Sequence, residues 1–208
     1  MYLHFRKEIM KRVGVLLREE VNGVLKHYVR DSVIKRLKYF NVEIIGIITN
    51  NHLNKIYSVL NTCDGIILPG GDEINNKDIE IIKYTHKLGI PVLGICLGMQ
   101  EMALAFNGSV CALKQGNHKS IKKYVHEVSL NKDSNLYKYI RKETFKTNSR
   151  HNDIIKNTNL NVVAIANDNV IEAIEDKNHP FFIGVEWHPE DTDDLISRRL
   201  FKAFIDNL

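Results

Sequence analysis

The stretch that decides the fold is PVLGICLGMQEMALAFNG, residues 91–108, because an apolar run passes there into a helical pattern. Residues 91–96 have the short apolar character of a buried strand, and residues 97–108 continue at helical spacing until Gly108. Similar pairs come earlier in the chain. We predict strands at 12–17, 42–49 and 65–71 and helices at 28–40, 52–60 and 78–89. Alternating strands and helices predict an α/β fold with a mostly parallel central sheet and helices on both faces.

Two glycine-containing segments are expected at the functional edge of this sheet. LPGGDE (68–73) and GICLGMQ (94–100) each follow a predicted strand, and ligands of parallel sheets bind beyond the carboxyl ends of the strands. Residues 109–150 are rich in Lys, His, Asn and Tyr, with one strand candidate at 124–130. Further strands are predicted at 161–167, 169–176 and 181–187, and a final amphipathic helix at 194–208.

Composition limits the class of protein. The chain has 208 residues, 44% of them hydrophobic, and a formal net charge of +4. We expect one domain over 12–208 preceded by an N-terminal extension, residues 1–11. The charge is too small to favour nucleic acid, and no apolar run is long enough for a membrane span or a signal peptide. Three cysteines without a CxxC pair fit a reducing compartment, so we expect a cytoplasmic location.

Cys96 is the candidate nucleophile. It lies where the strand gives way to the helix, and Gly94 and Gly98 flank it two residues away on each side. A tight strand–turn–helix needs positions without Cβ, and the helix N-terminus lowers the pKa of a thiol. For Cys63 and Cys111 we favour a role as core filler, the usual fate of a free cysteine.

A thiol nucleophile needs a base and hydrogen-bond donors for the oxyanion. His188 and Glu190, separated by Pro189, follow the apolar run FFIGVEW and are the candidate base and its orienting carboxylate. The candidate oxyanion donors are the backbone amides of three residues, Gly70, Gly71 and Leu97.

Metal and cofactor chemistry is not expected. The chain has neither a CxxC pair nor an HExxH motif. The remaining histidines are scattered along the sequence and are interpreted as surface or packed structural residues: His27, His52, His86, His126 and His179. We therefore predict no metal ligands and no cofactor.

LPGG, GICLGMQ and GVEWHPE, in this order and spacing, resemble the class I glutamine amidotransferase-like superfamily over almost the whole chain. Within it, the chain is most similar to the γ-glutamyl-γ-aminobutyrate hydrolase branch. Four segments carry that resemblance: GICLGMQEMALAFNGSV, NSRHND, VIEAIE and NHPFFIGVEWHPE. The resemblance implies a flavodoxin-like three-layer sandwich.

The resemblance also implies roles for particular residues. Cys96 would be the nucleophile, His188 the general base and then acid, and Glu190 the residue that orients His188. Gly70 or Gly71 would provide the oxyanion loop. Five residues are the candidates for binding substrate: Gln100, Asn148, Ser149, Arg150 and His151.

The implied reaction is hydrolysis of the γ-glutamyl bond of a small-molecule γ-glutamyl amide through a glutamyl thioester. γ-Glutamyl-γ-aminobutyrate is one substrate type in this superfamily. Another is γ-glutamyl-CDP-amidate from bacterial capsule pathways, which basic residues between 114 and 150 would favour; they include Lys119 and Arg150. The alternatives are a glutaminase subunit that delivers ammonia to a separate synthase and, less favoured because the triad is intact, a non-catalytic binding protein. A homodimer is left open.

Overall fold

The computed structural model describes residues 10–114 and 118–208, and within these ranges ten strands form one mixed sheet. Residues 1–9, most of the predicted extension, lie outside the described residues, and Lys11 already belongs to the first strand. The strands of the main sheet are β1 Lys11–Val21, β2 Leu25–Tyr28, β3 Val42–Ile48, β4 Gly65–Leu68, β5 Val92–Ile95, β7 His126–Leu130, β8 Thr144–Thr147, β10 Asn161–Ala166, β11 Ile171–Glu175 and β12 Phe182–Val185. Two strands, β6 Ser109–Ala112 and β9 Asp153–Asn157, pair separately.

Six α-helices are present among the described residues. They are α1 Asp31–Leu37, α2 Leu53–Leu60, α3 Asn76–Lys87, α4 Leu97–Ala105, α5 Asn135–Ile140 and α6 Leu195–Asp206. None of these helices combines the length and the apolar character that crossing a membrane requires.

The sheet has a parallel and an antiparallel part. Strands β3, β1, β4, β5 and β12 run parallel to their neighbours in that order. From β12 onward the pairing becomes antiparallel, through β11, β10, β7 and β8. Because β5 and β12 are parallel neighbours, the segments that follow them leave the sheet at the same edge. The predicted three-layer α/β class, with a mostly parallel sheet and helices on both faces, is confirmed.

Buried side chains form one apolar core on each face of the sheet. Val13 and Val15 face α1 and α6, whereas Leu16 faces α2 and α3. The same division holds in the next strand, where Ile67 belongs to the first core and Ile66 to the second. This alternation follows from the two-residue period of a strand that is covered on both faces.

The structure differs from the sequence prediction near residue 28. The predicted helix at 28–40 is shorter, because Tyr28 ends β2 and the helix begins only at Asp31. The missed element is a hairpin in which β2 pairs antiparallel with the end of β1. Gly23, with φ +73°, forms its turn, a conformation that an L-residue rarely adopts.

Candidate active site

Cys96 occupies a strained turn between β5 and α4. Its φ of 52° and ψ of −109° lie outside the helical and strand regions, and Leu97 begins the helix. A Cβ at Gly98 would overlap the main-chain carbonyl of Leu68, and one at Gly94 would overlap the sulfur of Met102. Both glycines are therefore required for the close approach of α4 to the sheet, as the sequence pattern predicted.

Burial determines the chemistry of the Cys96 thiol. The residue is 6% exposed, and its amide donates to the carbonyl of Val185 at 2.8 Å, which ties the turn to β12. Burial, and secondarily the nearby Glu186 carboxylate, raises the pKa of the Cys96 thiol well above its usual range, although the Leu97 amide acts in the opposite direction. A thiol with a raised pKa needs a base at the moment it attacks.

A buried histidine–carboxylate pair lies at the same edge of the sheet. His188 follows β12, and its Nδ1 is 2.8 Å from Oε1 of Glu190. His188 is the N-cap of a short 3₁₀ turn, Pro189–Asp191, which contains Glu190. A Cβ at Gly70 would lie 2.9 Å from Cε1 of His188 and 3.6 Å from Cβ of Cys96, so Gly70 lies against both candidate residues. With Nδ1 donating to the carboxylate, Nε2 of His188 is left to accept a proton.

Asn148 fixes the main chain of His188. Its Nδ2 donates to the carbonyl of His188, and its Oδ1 accepts from the amide of the same residue, both at 2.8 Å. The side chain is fully buried. The amide of Asn148 is therefore engaged with the protein, and it determines where His188 sits.

A buried arginine holds the glycine loop that follows β4. Arg18 donates to the carbonyl of Pro69 through Nε at 3.0 Å and Nη2 at 2.5 Å. The same guanidinium pairs with Asp78 at 2.6 Å and with Glu101 at 2.9 Å. Three elements, β1, α3 and α4, thus converge on the loop that contains Gly70 and Gly71. A guanidinium with two carboxylates and a carbonyl uses its planar donor geometry fully.

A cleft of about 500 Å³ opens over Cys96. Gly71, Leu97, Gln100, Arg150 and His151 line it, whereas Asn148 and Ser149 do not. Its charged lining comprises three cations, Arg30, Lys119 and Arg150, and two carboxylates, Asp72 and Asp153.

The substrate-binding candidates at the cleft are held by neighbours. Gln100 Nε2 donates to Glu186 at 2.6 Å and to the carbonyl of Asp153 at 3.1 Å. Arg150 pairs with Asp191. Ser149, outside the cleft, is fully buried and donates to the carbonyl of His118 at 2.6 Å. A larger cleft of about 750 Å³ adjoins this one through Asp72 and Ile74 but does not include Cys96.

Comparison with known proteins decides the family. The family model of peptidase C26 matches residues 75–190, more than half of the chain. The chain belongs to the peptidase C26 family. It thereby belongs to the class I glutamine amidotransferase-like superfamily and is a hydrolase of the glutamine-amidotransferase type.

Individual relatives of this peptidase C26 chain are named after GMP synthase. "GMP synthase [glutamine-hydrolyzing]" of Francisella tularensis subsp. novicida (strain U112) is 33% identical over 147 residues, which are 69% of this chain and 27% of the relative. The same-named protein of subsp. tularensis (strain WY96-3418) is 32% identical over the same lengths. The match thus spans about a quarter of the length of these relatives.

Two solved structures share the fold. A protein of Thermoplasma acidophilum, described as a putative GMP synthase subunit, has 23% identity and a TM-score of 0.75. The glutaminase domain of Trypanosoma brucei CTPS with bound acivicin has 16% identity and a TM-score of 0.74. Each alignment covers 95% of this chain and 94% of the other.

Sequence reasoning missed several residues that shape the site in this member of the peptidase C26 family. The sequence marks Arg18 only as the end of an apolar run, although it holds the glycine loop. Of the five histidines interpreted as scattered, one, His126, lies together with His118 and His151 around Glu172. No signal in the spacing along the chain marks this group.

Proposed function

We propose that this chain is a cysteine-dependent hydrolase that cleaves the γ-glutamyl bond of a γ-glutamyl amide and releases glutamate and an amine or amidate. The observation that carries the proposal is the placement of Cys96 and the His188–Glu190 pair on neighbouring parallel strand ends. A nucleophile, a base and an orienting carboxylate are the parts that acyl transfer through a thioester requires.

In the first half of the reaction, Sγ of Cys96 attacks the γ-carbonyl carbon while Nε2 of His188 takes the thiol proton. The carbonyl oxygen becomes an oxyanion, for which the backbone amides of Leu97 and of Gly70 or Gly71 are the proposed donors. Collapse of this intermediate breaks the C–N bond. His188 gives its proton to the leaving nitrogen, and a glutamyl thioester remains on Cys96.

In the second half, His188 removes a proton from water as the water oxygen attacks the thioester carbon. The C–S bond breaks, glutamate leaves, and the sulfur recovers the proton from His188. Glu190 stabilises the imidazolium form in both halves because it accepts the hydrogen bond from Nδ1.

The cleft lining supports an anionic leaving group. Arg30 and Lys119 line the same cleft as Cys96 and are not among the residues that we assign to the glutamyl part. A carboxylate, as in γ-glutamyl-γ-aminobutyrate, or a phosphate, as in γ-glutamyl-CDP-amidate, offers a partner for these cations. We propose that Gln100 and Arg150 bind the glutamyl part. His151 also lines the cleft, but both of its ring nitrogens face protein atoms, Nδ1 the carbonyl of Asp153 and Nε2 the ring of His118.

The second candidate function is a glutaminase that delivers ammonia to a separate synthase. Its support is the name of the Francisella relatives, GMP synthases described as glutamine-hydrolyzing, of which the match covers only a quarter. The intact Cys96, His188 and Glu190 serve this reaction equally well, since glutamine is itself a γ-glutamyl amide. A cytoplasmic location is proposed for either function.

The test is to assay the purified chain alone on a panel of γ-glutamyl amides and on glutamine. We expect release of glutamate from at least one amide with an anionic leaving group. Cys96→Ala should lower kcat by roughly 10⁴-fold or more, because it removes the nucleophile. Cys111→Ala, at a half-buried cysteine on β6 that does not line the cleft over Cys96, is the matched control and should retain activity.

Two outcomes would contradict the proposal. Ammonia release from glutamine only after a synthase is added would favour the glutaminase. Equal activity of wild type and Cys96→Ala would exclude thioester chemistry.

A separate outcome tests the leaving group. If a substrate with a neutral leaving group is hydrolysed better than its phosphorylated counterpart, the role proposed for Arg30 and Lys119 is contradicted.

A further inference from the structure

A second group of buried polar residues lies outside the triad. His118, His126 and His151 surround the carboxylate of Glu172, which is fully buried on β11. Their nearest nitrogens lie 3.5, 3.3 and 3.8 Å from Oε1 of that carboxylate, respectively. Among the described residues, no hydrogen bond reaches either carboxylate oxygen of Glu172 or either ring nitrogen of His126. Buried polar groups are nearly always paired, so this group calls for a partner.

The hydrogen bonds of two of the rings fix where their protons are. His151 Nδ1 lies 2.9 Å from the carbonyl of Asp153, which can only accept, so Nδ1 carries the proton. His118 Nε2 lies 2.8 Å from the Asp168 carboxylate and carries its proton for the same reason. The remaining nitrogens, His118 Nδ1 and His151 Nε2, face each other at 3.0 Å. In neutral rings these are two lone pairs, which repel unless a cation or an added proton joins them.

The spacing of the ligand atoms fits a tetrahedral metal ion. Zinc binds imidazole nitrogen and carboxylate oxygen at about 2.0–2.1 Å, so the ligand atoms of a tetrahedral site lie about 3.3–3.4 Å apart. The separations among His118 Nδ1, His151 Nε2 and Oε1 of Glu172 run from 3.0 to 3.8 Å. His118 Nδ1, His151 Nε2 and an oxygen of Glu172 all lie within 4.8 Å of one another. His126 approaches the same oxygen with Nε2.

The surroundings of the rings also match those of metal ligands. A metal-bound histidine commonly donates its other N–H to a carboxylate or a backbone carbonyl, which fixes the tautomer and the ring orientation. Asp168 does this for His118, and the carbonyl of Asp153 does it for His151.

We propose that His118, His151 and Glu172 bind one divalent transition-metal ion of the zinc class. His126 approaches Glu172 with Nε2 but does not lie within 4.8 Å of all three ligand atoms, so the fourth place of a tetrahedral ion is left to water. The ion would join β11 and the two segments that carry His118 and His151. The second of those segments also contains Asn148, so the metal would stabilise the support of His188.

The test uses protein produced in zinc-supplemented medium and freed of any polyhistidine tag. We expect about one zinc per chain by elemental analysis, and a higher melting temperature than after chelation. Replacing zinc with Co²⁺ should give the intense visible absorption of a tetrahedral complex, a readout independent of activity. Glu172→Gln should lose the metal.

Asp168→Asn is the milder variant, because Asp168 is partly exposed and is not itself a ligand. We expect it to weaken metal affinity by roughly 10–100-fold, the usual effect of removing such a supporting carboxylate. Asp176→Asn is the matched control. Asp176 pairs with His86, also at 2.8 Å, but neither residue belongs to the proposed metal site, so this variant should leave the metal affinity unchanged.

The proposal is overturned if folded wild-type protein holds far less than one metal ion per chain and gives no tetrahedral Co²⁺ spectrum. His118 and His151 would then share one added proton, and the carboxylate of Glu172 would balance its positive charge. Equal losses of affinity in Asp168→Asn and Asp176→Asn would also contradict it.

Discussion

Gly70 lies against both Cys96 and His188, two of the residues proposed for catalysis. It is held there by the loop after β4, and its missing side chain leaves the space between Cys96 and His188. The role of this glycine is steric, because its φ is not positive and the backbone would accept another residue. An alanine would place its methyl group against the imidazole ring of His188, the proposed base.

We predict that Gly70→Ala lowers kcat/KM by roughly 10²-fold, because a displacement of about 1 Å at the reacting groups has effects of this size. The protein should still fold. Gly46→Ala is the control, since a Cβ there meets only the flexible side chain of Leu17, at 3.3 Å or more. Full activity of the Gly70→Ala protein would contradict this steric role of Gly70.

At the scale of elements, the ion cluster of Arg18 joins β1, α3 and α4 to the glycine loop. Arg18 carries one positive charge against two carboxylates, so one carboxylate in this buried place is left without a full counter-charge. Burial therefore raises the pKa of Glu101 to about 7, although Arg18 opposes the shift.

This shift predicts a pH dependence of stability. A carboxyl group whose pKa is higher in the folded state binds more protons there than when unfolded. The free energy of unfolding should therefore fall as pH rises from the ordinary Glu value of 4.5 to about 7, and then level off. Urea unfolding of wild type and Glu101→Gln across this range tests it. The decline should be smaller in the variant, and parallel curves would contradict the prediction.

The elements also show what the sequence could predict. The strand–turn–helix at Cys96 and the turn at His188 were predictable because their signals, glycine bracketing and Pro189, are local. Arg18 bonds to Pro69 and Glu101, 51 and 83 residues away, and its role was not predictable. The proposed metal ligands His118, His151 and Glu172 are separated by 33 and 21 positions, which match no spacing motif.

Across the whole molecule, the two parts of the sheet meet at the candidate site. The parallel part provides the turn at Cys96 and the end of β12, whereas the chain after β8 provides Asn148. This single side chain connects the antiparallel part to the main chain of His188 across 40 residues of sequence. For the molecule as a whole, the sequence predicted the fold class but not the order of the strands in the sheet, because pairing between distant strands leaves no local pattern.

We predict that Asn148→Ala lowers kcat more than it changes KM, because the base loses its position while the cleft lining stays in place. The buried amide and carbonyl of His188 would lose their partners, so we expect a loss of about 1–3 kcal/mol in the free energy of unfolding. Asn135→Ala, which removes an exposed amide contact, is the control. A rise in KM alone would instead indicate that Asn148 contacts substrate.

The position of β12 has a consequence for synthesis on the ribosome. It inserts between β5 and β11, although about 87 residues separate it from β5 along the chain. Until Phe182–Val185 have emerged, the nascent protein presents β5 as an unpaired apolar edge, the kind of surface on which chains aggregate. The insertion of β12 therefore covers this edge and brings the proposed base, His188, beside the turn of Cys96 in the same step.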